Sequence, residues 1–317
     1  MYKGILIIFA LFACALPCRS FAADDHLTIA VIPKGSTHAY WKTVHLGAEQ
    51  AAKELGVNII WKGPTKENDR SDQIAMVQQF VTRGVNGIVL APLDFDGLES
   101  PVEQAVAKNI TVVIIDSAVK GTPGKDFASF VATDNHHAGY LGGENLARVL
   151  NGKGKVVLLR YEPGSASTDE REAGFLEAIA KSPDIEVISK SQYGGATQGE
   201  AKTVSLNMLD KLRQADGVFC PNESSTLGML GALEQAHIAG KIKFVGFDAT
   251  PALVDALRAG EIDCLIAQDP RKMGYEGVKI CVAAIRKESV PAQIDTGTAV
   301  VTLQNVDTPE IQKVLGK

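Results

Sequence analysis

The chain is 317 residues long, carries 32 Lys and Arg against 37 Asp and Glu, and has a formal net charge of −5 at pH 7. That length exceeds what one hydrophobic core usually fills, which favours two domains. A mildly acidic balance with no basic run argues against a nucleic-acid partner.

The first segment reads as a processing signal. Lys3 gives a thin positive start, residues 4–15 an apolar stretch too short for a membrane span, and Ser20-Phe21-Ala22 a small-x-small cleavage pattern. Residues 1–22 are therefore expected to be a signal peptide, removed on export. Leu11-Phe12-Ala13-Cys14 offers an alternative, a lipoprotein anchored through Cys14, although Phe12 suits such a box poorly. The segment holds Lys3 and Arg19 and no acid, so the mature chain is the more acidic. Cys14 and Cys18 leave with it. Cys220, Cys264 and Cys281 stand in apolar contexts, and their spacing matches no zinc pattern. Buried unpaired thiols are the favoured reading; one disulfide among the three stays open in an oxidising compartment.

Residues 27–32 form the first apolar, strand-like run. A helix is expected over 40–55, with Val44, Gly47, Ala48, Ala51, Ala52 and Leu55 on one face and Gly56 as its stop. Residues 57–61 read as the second strand, 73–82 as a helix and 87–90 as the third strand. Residues 101–108 form a helix with Pro101 near its first turn, and 111–115 the fourth strand. The rhythm then repeats, with strands at 155–159, 186–189, 217–220, 243–246 and 263–267 and helices at 170–180, 201–214, 225–236 and 251–258. Such alternation is the pattern of a parallel α/β sheet, and two arrays in tandem predict two similar lobes. No long linker separates them, so short crossovers are expected, the first near residues 130–133.

Six segments stand at strand ends: His38-Ala39-Tyr40-Trp41, Ile115-Asp116-Ser117, Arg171-Glu172-Ala173-Gly174-Phe175, Pro221-Asn222-Glu223, Gly246-Phe247-Asp248 and Ala267-Gln268-Asp269. In open α/β sheets ligands bind in the crevice at the carboxyl ends of the strands. Tyr40 and Trp41 offer aromatic faces for the apolar C–H face of a sugar ring, or else cap a helix as core aromatics. Asp116 and Asp248 can each bridge adjacent hydroxyls, or serve as helix N-caps. Arg171 presents a fixed fork of donors, or pairs with Glu170 or Glu172. Asn222 and Gln268 add amides that both donate and accept, or brace loops. Trp61 ends the second strand, at the cleft rim or in the core.

In order and chemistry these segments resemble the ribose-type periplasmic sugar-binding proteins, the substrate-binding components of ABC importers, from about Leu27 to about Thr302. The resemblance implies an α/β fold of two similar Rossmann-like lobes with parallel sheets, joined by a multi-strand hinge. It implies further crossovers near Ala267-Gln268 and Asp295-Thr296. The lobes would comprise residues 24–132 with 269–296, and 133–268 with 297–317. It implies a periplasmic, monomeric binding protein that closes on a monosaccharide-like solute and delivers it to a membrane permease, with no cofactor and no metal. The expected ligand contacts are Lys34, His38, Tyr40, Trp41, Asp116, Arg171, Asn222, Asp248 and Gln268, with Lys34 and His38 expected from their place after the first strand and not from the resemblance.

The chain departs from the ribose pattern in four places. His38 and Lys34 stand where short polar residues are usual, Ser117 replaces an arginine, and Ala196 stands where an aromatic is expected. Ribose is therefore not carried over as the ligand. Lys34 either binds an anionic sugar or neutralises Asp116 or Asp248. Catalysis is disfavoured: no Gly-x-Ser-x-Gly elbow, Walker loop or Gly-x-Gly-x-x-Gly follows the first strand. Neither His136-His137 nor His38 with His45 makes a sufficient metal site. Sugar-responsive repressors share the fold but begin with a helix-turn-helix. A periplasmic sensor reporting to a membrane receptor remains an alternative to an importer subunit.

Overall fold

The computed structural model describes residues 27–316. The expected signal peptide, with Cys14 and Cys18, lies outside the described residues. The chain begins with β1 (Thr28–Ile32), α1 (Ala39–Leu55), β2 (Asn58–Trp61), α2 (Arg70–Arg83), β3 (Gly87–Leu90), α3 (Glu99–Ala107), β4 (Thr111–Ile115) and β5 (Ser129–Ala132). It continues through α4 (Asn135–Val149), β6 (Lys153–Arg160), α5 (Ala166–Ala180), β7 (Asp184–Tyr193), α6 (Gln198–Asn207), α7 (Leu209–Leu212), β8 (Gly217–Phe219), α8 (Glu223–Gln235), β9 (Lys243–Phe247), α9 (Pro251–Ala259) and β10 (Cys264–Gln268). It ends with α10 (Pro270–Ile285), β11 (Gln293–Asp295), β12 (Thr298–Val301) and α11 (Pro309–Val314).

Two six-stranded sheets result, ordered β11-β5-β4-β3-β1-β2 and β12-β10-β9-β8-β6-β7. The described pairings are parallel except β10 with β12. The two orders match: in each lobe the first strand lies between the second and the third, and there the order reverses. Such a reversal is where an open α/β sheet leaves a crevice at its carboxyl edge. The chain passes between the sheets three times, after β5, after β10 and between β11 and β12.

The central strands are apolar on both faces, as parallel strands covered by helices must be. Along β1 the side chains alternate: Ile29 and Val31 join Val44, Ala48 and Met273 from α1 and α10, while Ala30 and Ile32 join Val77, Phe80 and Val102 from α2 and α3. Along β6, Val157 and Leu159 pack with Met229 and Leu253 on one face, Val156 and Leu158 with Ala138 and Phe175 on the other.

In each lobe a pair of glycines lets two helices cross at backbone distance. A Cβ on Gly47 would lie 1.9 Å from the Arg271 carbonyl oxygen, and one on Gly274 1.9 Å from that of Val44. In the second lobe Gly139 faces the Arg171 carbonyl at 1.9 Å and Gly174 that of His136 at 2.0 Å. These contacts bring α1 onto α10 and α4 onto α5 at backbone distance, and the second crossing carries Arg171.

Several elements differ from the sequence reading. The helix expected over 201–214 is two, broken at Met208, whose amide is shared between the Val204 and Ser205 carbonyls. Residues 129–132 form a paired strand, β5, immediately before the crossover. Helices α4 and α10 were not read at all. Cys220, Cys264 and Cys281 are buried free thiols.

Candidate ligand-binding site

The nine side chains expected at the site all line one chamber between the carboxyl edges of the two sheets. Its central void is only about 30 Å³, and its walls touch across the cleft. A molecule larger than a water therefore enters only if the lobes part.

The two aspartates occupy equivalent places, one residue past the fourth strand of each lobe. Asp116 has φ 65° and Asp248 φ 68°, a left-handed conformation that costs roughly 1–3 kcal/mol and concentrates at functional sites. Each is pinned by its amide, Asp116 N–H to the Val131 carbonyl and Asp248 N–H to that of Ile266. The Ser117 amide then returns to the Ile115 carbonyl at 2.7 Å, closing a γ-turn about Asp116. Neither aspartate is the N-cap residue of a helix that follows it: no helix follows Asp116 directly, and the cap of α9 is Thr250.

In the first lobe Tyr40 O–H donates to Asp116 at 2.9 Å, and Lys34 Nζ lies 3.0 Å from the same carboxylate. Lys34 also donates across the cleft to Ser167 Oγ at 2.9 Å and Ser165 Oγ at 3.3 Å. Of the two readings of Lys34, the neutralising partner is the arrangement seen. Trp41 Nε1 donates to Glu67 at 2.6 Å, and His38 Nδ1 stands 2.5 Å from that carboxylate. Tyr161, from the second lobe, donates to its other oxygen at 2.8 Å.

Burial would push Glu67 up, but the charge and hydrogen bond of His38, helped by Lys34 and Trp41, hold it down at about 2. Burial likewise works against the His38 cation, and Glu67 overcomes it, raising the imidazole to about 9. The ion pair therefore stabilises the fold fully between the unfolded values, above about 4.5 and below about 6.5. The histidine's share is lost as pH rises through about 9. Thermal unfolding followed from pH 6.5 to 9.5 should show an alkaline decline that His38→Gln flattens; an identical slope in the variant would remove His38 as its source.

In the second lobe Arg171 is buried. Its Nε donates to Asn135 Oδ1 at 2.8 Å, one terminal nitrogen to the Pro221 carbonyl at 3.0 Å and the other to Gln268 Oε1 at 2.7 Å, with the guanidinium 4.0 Å from the Phe247 ring centre. Neither Glu170 nor Glu172 is its partner; Glu172 binds Arg160 and the Tyr161 amide. Gln268 Nε2 donates to Asp248 at 2.7 Å. Burial raises the Asp248 carboxyl to about 6, with Arg171 and Gln268 pulling the other way.

Asn222 also lines the chamber, but its side chain caps α8: Oδ1 accepts from the Ser225 amide and Nδ2 donates to Ser224 Oγ. The loop-bracing reading describes its present bonds. Trp61 is outside the chamber and stacks on His45 at 4.3 Å. Ser117 is buried and accepts from the Ser167 amide, and Ala196 is buried without lining the chamber.

The chamber also holds Glu67, Tyr161, Ser167, Thr168 and Glu223, which the sequence reading did not assign. Tyr161 directly follows β6, so ending that strand at its true limit would have exposed it. Glu223 stood inside a segment already singled out, and Ser167 and Thr168 lie just before the one that starts at Arg171. Glu67 lies six residues past β2, where no periodicity marks it.

A profile of the periplasmic binding protein domain matches residues 29–289. The chain is 28% identical over 280 residues to the D-allose-binding periplasmic protein of Escherichia coli K12, covering 87% of this chain and 89% of that one. It is 29% identical over 278 residues to the ribose import binding protein of Salmonella typhimurium, covering 87% and 91%. Among solved structures it resembles a carbohydrate transporter solute binding protein from Agrobacterium radiobacter in complex with D-arabinose, with a TM-score of 0.87, 31% identity and coverage of 92% and 99%. A solute binding protein from Agrobacterium vitis with bound D-fucose gives a TM-score of 0.87, 33% identity and coverage of 90% and 98%. Two lobes of matching strand order around a polar chamber, and a family profile spanning most of the chain, place this protein in the periplasmic binding protein family.

Proposed function

We propose that the chain captures a neutral monosaccharide or similar polyhydroxylated solute between its lobes and delivers it to the permease of an ABC importer. The observation that carries the reading is the charge pattern of the chamber. Each cation already faces a carboxylate or an acceptor: Lys34 Asp116, His38 Glu67, and Arg171 Gln268 with Asp248 nearby. With Glu223 added, four carboxylates stand against three cations. Such a wall offers acceptors and donors to hydroxyls and no spare cation to an acid. The sugars named for the relatives, allose, ribose, arabinose and fucose, are of this neutral class.

In this reading residues 1–22 direct export to the periplasm. Residues 24–132 with 269–296 form one lobe, and 133–268 with 297–317 the other. Lys34, His38, Tyr40, Trp41 and Asp116 serve the ligand from the first lobe, and Arg171, Asn222 and Asp248 from the second, with Gln268 at a crossover. Ligand touching both lobes favours the closed form over the open one. Among the described residues no helix is long and apolar enough to cross a membrane.

A thermal-shift panel of neutral pentoses and hexoses beside sugar acids and sugar phosphates tests the reading. A ligand at 100 times its Kd should stabilise by about 2.7 kcal/mol. A shift with a neutral sugar is expected; shifts with anions alone would overturn the proposal. Affinity for the neutral sugar should also fall as pH drops below about 6, where Asp248 takes up a proton and ceases to accept from a hydroxyl at that oxygen. Constant affinity from pH 7.5 to 5 would take Asp248 out of the contact set.

A further inference from the structure

Helix α1 begins without a cap of its own. His38, its N-cap residue, makes no side-chain capping bond, and the first turn holds no acid. The first amides of any helix have no intrahelical acceptor. Here those of Ala39 and Tyr40 are satisfied from the opposite lobe, by Glu223 Oε1 at 3.0 Å and Oε2 at 2.9 Å. Glu223 is the first residue of α8 and is buried.

The carboxylate is also tied to the crossovers. Its own amide donates to Asp248 Oδ2 at 2.8 Å, Asp248 Oδ1 accepts from Gln268, and Gln268 Oε1 accepts from Thr133 Oγ1 at 3.0 Å. Thr133 Oγ1 lies 3.4 Å from Thr296 Oγ1. Thr133, Gln268 and Thr296 each belong to a different passage of the chain between the lobes. One hydrogen-bonded line thus runs from all three crossovers, through two proposed ligand contacts, to the start of α1.

We propose that Glu223 is a latch: a helix cap supplied in trans, which draws α1 of the first lobe onto α8 of the second and favours closure independently of any ligand. The proposal rests on the reading that the lobes close around the solute. Both partners of the latch belong to the protein, so it favours the closed form whatever sugar is held. A negative group at a helix N-terminus is favoured by the aligned peptide dipoles as well as by the two hydrogen bonds. When the lobes part, those amides and the carboxylate must be satisfied by water. Glu223 is then a positioning residue for binding. By setting the population of the closed form it scales the apparent affinity, as any bias on a two-state equilibrium does.

Hydrogen exchange measured by NMR on sugar-free protein, refolded from denaturant to strip bound solute, reads the latch directly. In the wild type the Ala39 and Tyr40 amides should be protected, which first-turn amides seldom are. Glu223→Ala should speed their exchange at least tenfold while Ala48 and Ala51, deep in the same helix, keep theirs, and small-angle scattering should show a larger radius of gyration. Glu223→Gln, with one acceptor oxygen left, should fall between and serves if the alanine variant does not fold. Unprotected Ala39 and Tyr40 amides in the wild type, or an unchanged radius in the variant, would overturn the latch. Neither readout uses a sugar, so failure here is distinct from failure of the sugar assignment.

Discussion

Replacing Arg171 by alanine is expected to weaken sugar binding at least about 100-fold, roughly 2.8 kcal/mol, measured by titration calorimetry. The guanidinium is the cation nearest Asp248, and it organises Asn135, the Pro221 carbonyl and Gln268 around itself. On the proposed contact set its removal takes donors from the ligand, and it leaves a buried carboxylate less well compensated. Breaking a buried charge arrangement from one side costs about 3–5 kcal/mol of stability, so the variant should also unfold at lower temperature. Stability loss and binding loss can be separated. Adding Asp248→Ala to Arg171→Ala removes the stranded carboxylate and should recover part of the lost stability without restoring binding. Near-wild-type affinity in Arg171→Ala would contradict the site; failure of the double variant to recover stability would contradict the charge argument.

Gly139→Val should destabilise by at least about 3 kcal/mol and lower Tm by roughly 6–12 °C in a calorimetric scan. The side chain has nowhere to go: its Cβ would sit 1.9 Å from the Arg171 carbonyl oxygen, so α4 and α5 must separate. That separation moves the backbone of Arg171 itself, and sugar affinity should fall with stability although Gly139 touches no ligand. Gly199→Ala, in the first turn of α6 with open space about its Cβ, is the control. It should leave Tm unchanged or slightly raised, since alanine is the better helix former. A valine at 139 that leaves Tm unaltered would mean the crossing is looser than the backbone contacts require.

The lobes were legible because parallel strands covered on both faces must be continuously apolar. The run Thr111–Ile115 has only one reading, and β4 has those limits. Helices α4 and α10 were hidden by the feature that makes them work. Gly139, Gly142 and Gly143 in one, and Gly274 and Gly277 in the other, lower helix propensity where close packing needs bare backbone. The site was legible where a residue ends a strand: Asp116, Asp248 and Gln268 announce themselves by position. The same rule would have found Tyr161 had β6 been carried to its full length. Glu67 and Glu223 were not legible as partners: Glu67 sits in an irregular segment that only tertiary packing brings to His38 and Trp41, and the role of Glu223 arises only when two lobes distant in sequence meet. Tyr161 reaches the other oxygen of Glu67 from the second lobe, and the Glu223 carboxylate meets amides 184 and 183 residues away. Asn222 stands at a strand end as well. Its side chain lines the chamber and is also engaged in a capping box with Ser225, as an N-cap asparagine commonly is.

A crystal structure of the protein with the neutral sugar that stabilises it most tests the central claim directly. The account predicts one sugar ring in the chamber between the two sheets, hydrogen-bonded to Asp116 from the first lobe and to Arg171 and Asp248 from the second, with Tyr40 or Trp41 against its C–H face. A sugar bound outside the chamber, or held by one lobe alone, would contradict it.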